Sequence, residues 1–364
     1  MAAPANRCRA GARSLSLGLM LLSLAGPGRG GDVAPADASA SASTRAVLQY
    51  LASLPQRTEK KLLSGQFVSG YPEVTLATVE KIHKETGEWV ALLGFDYYAP
   101  KSARLVGLEE RKPARWEVVN PLIKAHWKEG GLATINLHMT NPWTGNNAWD
   151  KTGDLAELMT ADTGASRFYR RQLAMIADGL DDLQKAGVVV LFRPFHEING
   201  GWFWWGAKDP ETTKRLWRAM FQYLTVERRL HNLIWVYNSR TMLHYPGDDC
   251  ADMTSFDLYH DDPAMAKQAY DEALTARKPF ALGEYGPGRA TKVTAPLDYD
   301  YGPFAQRIGA SIPQTVYFLC WSGPWGLDAN RNAGRLLNDP LVVNRDDLQR
   351  DLFPKLSIAP MEKR

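Results

Sequence analysis

Eight times along this chain a short apolar run stops abruptly on polar or aromatic residues, and for most of them a segment with helical spacing follows. The runs cover 61–67, 88–96, 132–137, 188–192, 233–237, 253–258, 280–283 and 315–319. Helical spacing predicts helices over 44–54, where Thr44 reads as the cap, and over 74–86, 115–129, 165–186, 210–230, 263–276, 301–311 and 346–353. Runs such as Val188–Phe192 are apolar at every position and rich in β-branched residues, as strands buried on both faces are. Strand and helix in alternation, with no linker between them, predict an α/β fold with a parallel sheet. At 364 residues the chain can close that sheet into a single-domain (β/α)8 TIM barrel. An open doubly wound sheet is the alternative, but no Gly-rich dinucleotide turn follows the first run.

The polar run ends favour the barrel, because such barrels build their sites at the C-terminal face of the strands. The run at 188–192 is the most informative. It is followed by Arg193, Pro194, His196, Glu197, Asn199, Gly200 and Gly201, then Trp202, Phe203, Trp204 and Trp205. Ionisable groups at the end of a buried strand are costly unless paired. The apolar faces of sugar rings fit flat indoles, so a carboxylate beside several tryptophans points to carbohydrate chemistry. A core ion pair with packing tryptophans is the competing account. A second carboxylate, Glu284, follows the run at 280–283. Cleaving a glycosidic bond takes one carboxylic acid to protonate the leaving oxygen and one carboxylate to attack or to activate water. The two need different environments. Glu197 among the tryptophans suits the acid, and Glu284 suits the nucleophile, with Tyr259 and Arg193 placed to keep it ionised.

The rest of the chain narrows the alternatives. The net charge is +3 and no basic run is interleaved with aromatics, so nucleic acid is not expected as a partner. His196–Glu197 suggests a zinc hydrolase, but position 200 is Gly, so there is no second histidine at ligand spacing and no metal is expected. Arg7, Arg9 and Arg13 precede an apolar run at 15–25, the pattern of a secretory signal within 1–30. Residues 31–43 read as a disordered leader and 44–364 as the catalytic domain. The mature chain is expected to be secreted or periplasmic, monomeric and free of the membrane. Cys8 leaves with the signal, and Cys250 and Cys320 read as two separate buried thiols.

The chain resembles glycoside hydrolase family 26, whose best-known members are endo-β-1,4-mannanases. The resemblance rests on 193–200 (RPFHEING) with Trp202–Gly206, on Leu63–Gln66, Gly94–Tyr98, Gly130 and Gly131 leading to His138, and Asn232–Tyr237. It continues through Tyr245–Asp249, Asp257–Tyr259 and 278–284, spanning most of the chain from Leu62 to Trp321. It implies a (β/α)8 barrel and a retaining double displacement with no cofactor, Glu197 being the acid/base and Glu284 the nucleophile. It also implies sugar contacts from His138, His196, Trp202, Tyr259 and Trp321, with Trp143 at a more distal subsite. Arg193, Asp96 and Asp257 read as supports. The expected substrate is mannan, cut in endo mode. Mixed-linkage β-glucan or β-1,3-xylan, as cleaved by some members of the family, and a non-catalytic carbohydrate-binding barrel are the alternatives.

Overall fold

A computed structural model of the chain describes residue 1 and residues 33–68, 74–98, 115–160, 162–288 and 298–356. Apart from Met1, the expected signal at 1–30 lies outside the described residues. The barrel has eight parallel strands. β1 runs through Leu62–Leu63 and Gly65–Phe67, broken at Ser64; β2 is Leu92–Asp96, β3 Leu132–Asn136 and β4 Val190–Arg193. β5 is Leu233–Asn238, β6 Met253–Tyr259, β7 Phe280–Gly286 and β8 Thr315–Cys320. Neighbours pair in chain order, and β8 pairs with both β7 and β1, so the ladder closes on itself. Closure leaves no barrel strand as a free edge. A short β9, Val342–Val343, adds to the start of β1.

Every strand residue is buried except Tyr259, which is half-buried. That explains the unbroken apolar runs: the outer faces pack under helices and the inner faces fill the barrel. The covering helices include α1 (Ala42–Ser53), α2 (Ala77–Thr86), α3 (Trp116–Lys128), α4 (Leu155–Thr160), α5 (Gly164–Lys185), α6 (Pro210–Phe221), α7 (Lys267–Ala273) and α8 (Phe304–Ser311). α6 begins on Asp209, whose side chain accepts from Thr212 N, and continues into a wider π turn over Gln222–Glu227. The described connection from β5 to β6 holds no helix.

Several expectations change. The stretch read as a disordered leader is packed from Val33 onward. Ala36 N donates to Asp252 Oδ1 at 2.6 Å, and buried Asp37 pairs with His231. Its Ala, Ser and Asp composition hid these long-range bonds. Ser41 caps α1 in place of Thr44, which is itself buried and bonded to His231 O. The polar segment 144–164, which shows no helical spacing in the sequence, contains α4. β4, β5, β6, β7 and β8 run further than expected, to Arg193, Asn238, Tyr259, Gly286 and Cys320. The sequence reading stopped where polarity changed, but the ladder does not, so the polar residues sit on rigid strand backbone. Cys250 and Cys320 are free and buried. Among the described residues, no helix is long and apolar enough to cross a membrane, and no three His, Cys, Asp or Glu side chains are grouped to hold a metal ion.

Candidate active site

Register sets the site. Asp96 lies opposite Asn136, and Asn136 opposite Arg193, so β2, β3 and β4 end at one height. Between β6 and β7 the register shifts after Phe256, so that Asp257 pairs with Glu284 and Gly283 is the extra residue. Such a bulge re-aims the side chain beside it. The bulged position has to be glycine: a Cβ there would lie 2.5 Å from Asn238 Nδ2 and 2.8 Å from Asp257 Oδ1.

Arg193 is the centre of the buried network. Its Nη1 donates to Asp257 Oδ1 and Oδ2 at 3.1 and 3.0 Å, and its Nη2 donates to Glu284 Oε1. With the amide oriented to satisfy both partners, Asn136 accepts from Arg193 Nη2 at 3.3 Å and donates to Phe95 O. Tyr259 OH donates to Glu284 Oε2 at 2.8 Å. Both oxygens of Glu284 therefore accept hydrogen bonds. Burial, then the neighbouring carboxylates, hold the Tyr259 phenol far above its usual range, so Tyr259 stays a donor. Burial also pushes Asp257 up, to about 7, with Arg193 acting against it.

Glu197 stands on a different support. The turn after β4 carries two non-glycine residues at positive φ, Phe195 at 47° and Glu197 at 51°. Each such residue costs on the order of 1 kcal/mol and persists only when its surroundings impose it. Asn238, at the end of β5, does so: its Oδ1 accepts from Glu197 N at 2.7 Å, while its Nδ2 donates to Asp257 Oδ1 at 2.8 Å. One amide thus ties the Glu197 turn to the Arg193 network. Trp202 Nε1 donates to Glu197 Oε2 at 2.5 Å. The indole folds over Gly200, where a Cβ would come within 2.3 Å of the ring. Desolvation, then the charges of Asp257 and Glu284, raise Glu197 well above the ordinary carboxyl range. One guanidinium faces three carboxyls, and the one without a direct bond to it keeps its proton.

A second chain of contacts flanks Glu197. Asp96 accepts from His138 through both the ring Nδ1 and the backbone N–H. His138 Nε2 lies 3.2 Å from His196 Nε2. Burial, then His138 and Arg193, push His196 well below its usual range, so it is neutral. Trp321 stacks on Phe67 with centroids 4.2 Å apart and lies edge-on to His138 at 6.4 Å.

The structure brings Arg193, Glu197, Asp257, Tyr259 and Glu284 into one electrostatic neighbourhood, with Asp96, His138, His196, Trp202 and Trp321 around it. Trp143 is not part of this group. It is half-buried, bonded through Nε1 to Glu157, and packed over Gly153. The indole that 144–164 sends to the site is Trp149, stacked on His138 at 5.0 Å and 36 % exposed. Of the four aromatics after Gly201, only Trp202 is open, at 43 %; Phe203, Trp204 and Trp205 are core. The sequence reading also passed over Asn238 and Trp325, which meets Tyr259 edge-on at 5.8 Å. Asn238 was visible as a polar residue closing an apolar run, the same signal that marked Glu197.

The family profile described as Glycosyl hydrolase family 26 matches residues 36–347. A "Mannan endo-1,4-beta-mannosidase A and B" from Caldalkalibacillus mannanilyticus is 37 % identical, over 84 % of this chain and 61 % of its own length. A "Mannan endo-1,4-beta-mannosidase" from Bacillus subtilis is 35 % identical, over 84 % of this chain and 86 % of its own. This chain thus spans less than two thirds of the first relative. A solved Bacillus subtilis mannanase superimposes with a TM-score of 0.79 at 32 % identity, over 86 % of this chain and 96 % of that one.

Proposed function

The chain belongs to glycosyl hydrolase family 26 and is a glycoside hydrolase, and from that premise we propose that it cuts β-1,4-mannosidic bonds within mannan by a retaining double displacement. Glu284 attacks the anomeric carbon while Glu197 protonates the leaving oxygen. Glu197, once ionised, then deprotonates the water that releases the glycosyl group. The observation that carries this reading is the inequality of the two carboxyls: Arg193 and Tyr259 grip Glu284, whereas among the described residues no Lys or Arg is ion-paired with Glu197. His138, His196, Trp202, Tyr259 and Trp321 form the sugar contacts, Trp149 beside His138 joins them, and Trp143 serves a more distal subsite; Asp96, Arg193 and Asp257 act as supports. The choice of mannan and of endo cleavage rests on the names of the two relatives above.

We propose further that the protein is exported through its N-terminal Arg-flanked apolar run and acts as a monomer. Intact mass of the extracellular fraction and light scattering check those two points. The central test is product analysis on mannohexaose, with proton NMR of the first product. Internal cleavage with the β-anomer appearing first is expected. An α-anomer would remove Glu284 as nucleophile. Turnover only on mixed-linkage glucan or β-1,3-xylan would change the substrate, and binding of manno-oligosaccharides without new reducing ends would make the barrel a binding module.

A further inference from the structure

Gln66, next to last on buried β1, is not hydrogen-bonded to Arg193, Glu197, Asp257, Tyr259 or Glu284; its side-chain partners are Phe67 O, Trp321 O and Leu327 N. Its side chain is fully buried. Its Nε2 donates to Trp321 O at 3.1 Å, and its Oε1 accepts from Leu327 N at 3.0 Å. A single planar amide thus joins both ends of the turn that follows β8. That turn carries two indoles to different walls of the site. Trp321 lies on Phe67 and edge-on to His138, on the side of the histidine chain. Trp325 lies edge-on to Tyr259, the phenol that holds Glu284. The outer side of the turn is tied by Tyr301 OH to Trp325 O at 2.5 Å, and by Asn330 Nδ2 to Pro324 O and Gly326 O, each at 2.9 Å.

We propose that Gln66 is a positioning residue: it clasps the turn 321–330 from beneath and fixes the spacing of Trp321 and Trp325 on either side of the bound sugar. The assignment rests on the catalytic reading above. The amide supplies a donor and an acceptor in one rigid plane at any pH, whereas neither an apolar isostere nor an ionised carboxylate reproduces both bonds. A loosened turn must be ordered again by each substrate, which weakens binding more than chemistry.

The test is steady-state kinetics on mannohexaose, or on whichever β-glucan or β-xylan oligosaccharide the parent cleaves, together with melting curves. Gln66→Met is expected to raise KM about tenfold and to change kcat by less than about threefold. The same loss of affinity is expected calorimetrically when the substitution is added to a Glu284→Ala background. Gln66→Glu is the conservative partner. Its protonated form restores a donor and an acceptor, so its KM falls back toward the parent value as pH is lowered, which Gln66→Met cannot do. If Gln66→Met does not fold, Asn330→Ala loosens the same turn from its outer side and is expected to raise KM by a smaller factor. A lower melting temperature with KM unchanged, or a Gln66→Glu variant whose KM stays well above the parent's as pH is lowered, would overturn the clasp. A parent that cleaves some other glycan overturns the mannan reading and leaves the clasp to be judged on that glycan.

Discussion

Glu197 and Glu284 are the same side chain in opposite settings. Glu284 sits on a strand, beside a bulge, with both oxygens held by an arginine and a phenol. Glu197 sits on a left-handed turn, half-buried, with one indole N–H as its side-chain partner and two carboxyls for neighbours. The first setting stabilises charge; the second disfavours it. In the proposed mechanism, acid and nucleophile differ by setting alone: desolvation raises Glu197, while Arg193 and Tyr259 bond Glu284. Asn238 makes the two settings interdependent, since the amide that fixes the Glu197 turn also holds Asp257 against Arg193.

The largest effect should come from removing the charged member. Glu284→Ala is expected to lower kcat on mannan by about 10⁵-fold while oligosaccharide binding persists. A variant retaining a hundredth of the activity would break the comparison, because the gripped carboxylate would then not be the reacting one. The protonated member matters only when the leaving group needs a proton. Glu197→Ala should therefore cost about 10³-fold on mannan, but less than about tenfold in glycosylation of an aryl mannobioside with an acidic phenol. Equal losses on both substrates would contradict the acid role.

Tyr259→Phe tests the grip itself. It deletes one hydrogen bond to an ionised carboxylate and keeps the ring against Trp325. A loss of about 10- to 100-fold in kcat/KM is expected. Little loss would mean that Arg193 alone suffices.

How much of this could be read in the chain depends on the range of the interactions. The barrel was legible because a strand buried on both faces leaves a local signature, and eight of them leave it eight times. Glu197 and Glu284 were legible because a carboxylate closing an apolar run is costly unless it serves a purpose. The bulge at Gly283 was not, since nothing near Phe256 or Gly283 announces a shift of register. Asn238 and Gln66 look like ordinary polar strand ends, and their significance lies in partners 41 and 261 residues away. Trp143 and Trp149 belong to the same stretch, and composition does not tell which one faces inward. The fold decides it through Asp150, which gathers Thr144, Asn146 and Thr152 and sets the course of the turn.

The smallest expected effect is the most discriminating for Glu197. Trp202→Phe removes the indole N–H that favours the ionised form of Glu197 and leaves an aromatic face in place. The proposed mechanism needs Glu197 protonated, and its pKa is already raised, so activity is expected below that pKa and is expected to fall as pH rises through it. Without the Trp202 hydrogen bond the charged form is less favoured still, and the alkaline limb of kcat/KM should move to higher pH. Stability follows the same sign. Folding raises the Glu197 pKa, so its contribution is greatest below the unfolded value, about 4.3, and declines as pH rises from there through the folded value. Trp202→Phe should steepen that decline between mildly acid and alkaline pH, as read by melting temperature. An alkaline limb that moves down, or stays fixed while KM alone rises, would show that the indole binds sugar without tuning the acid.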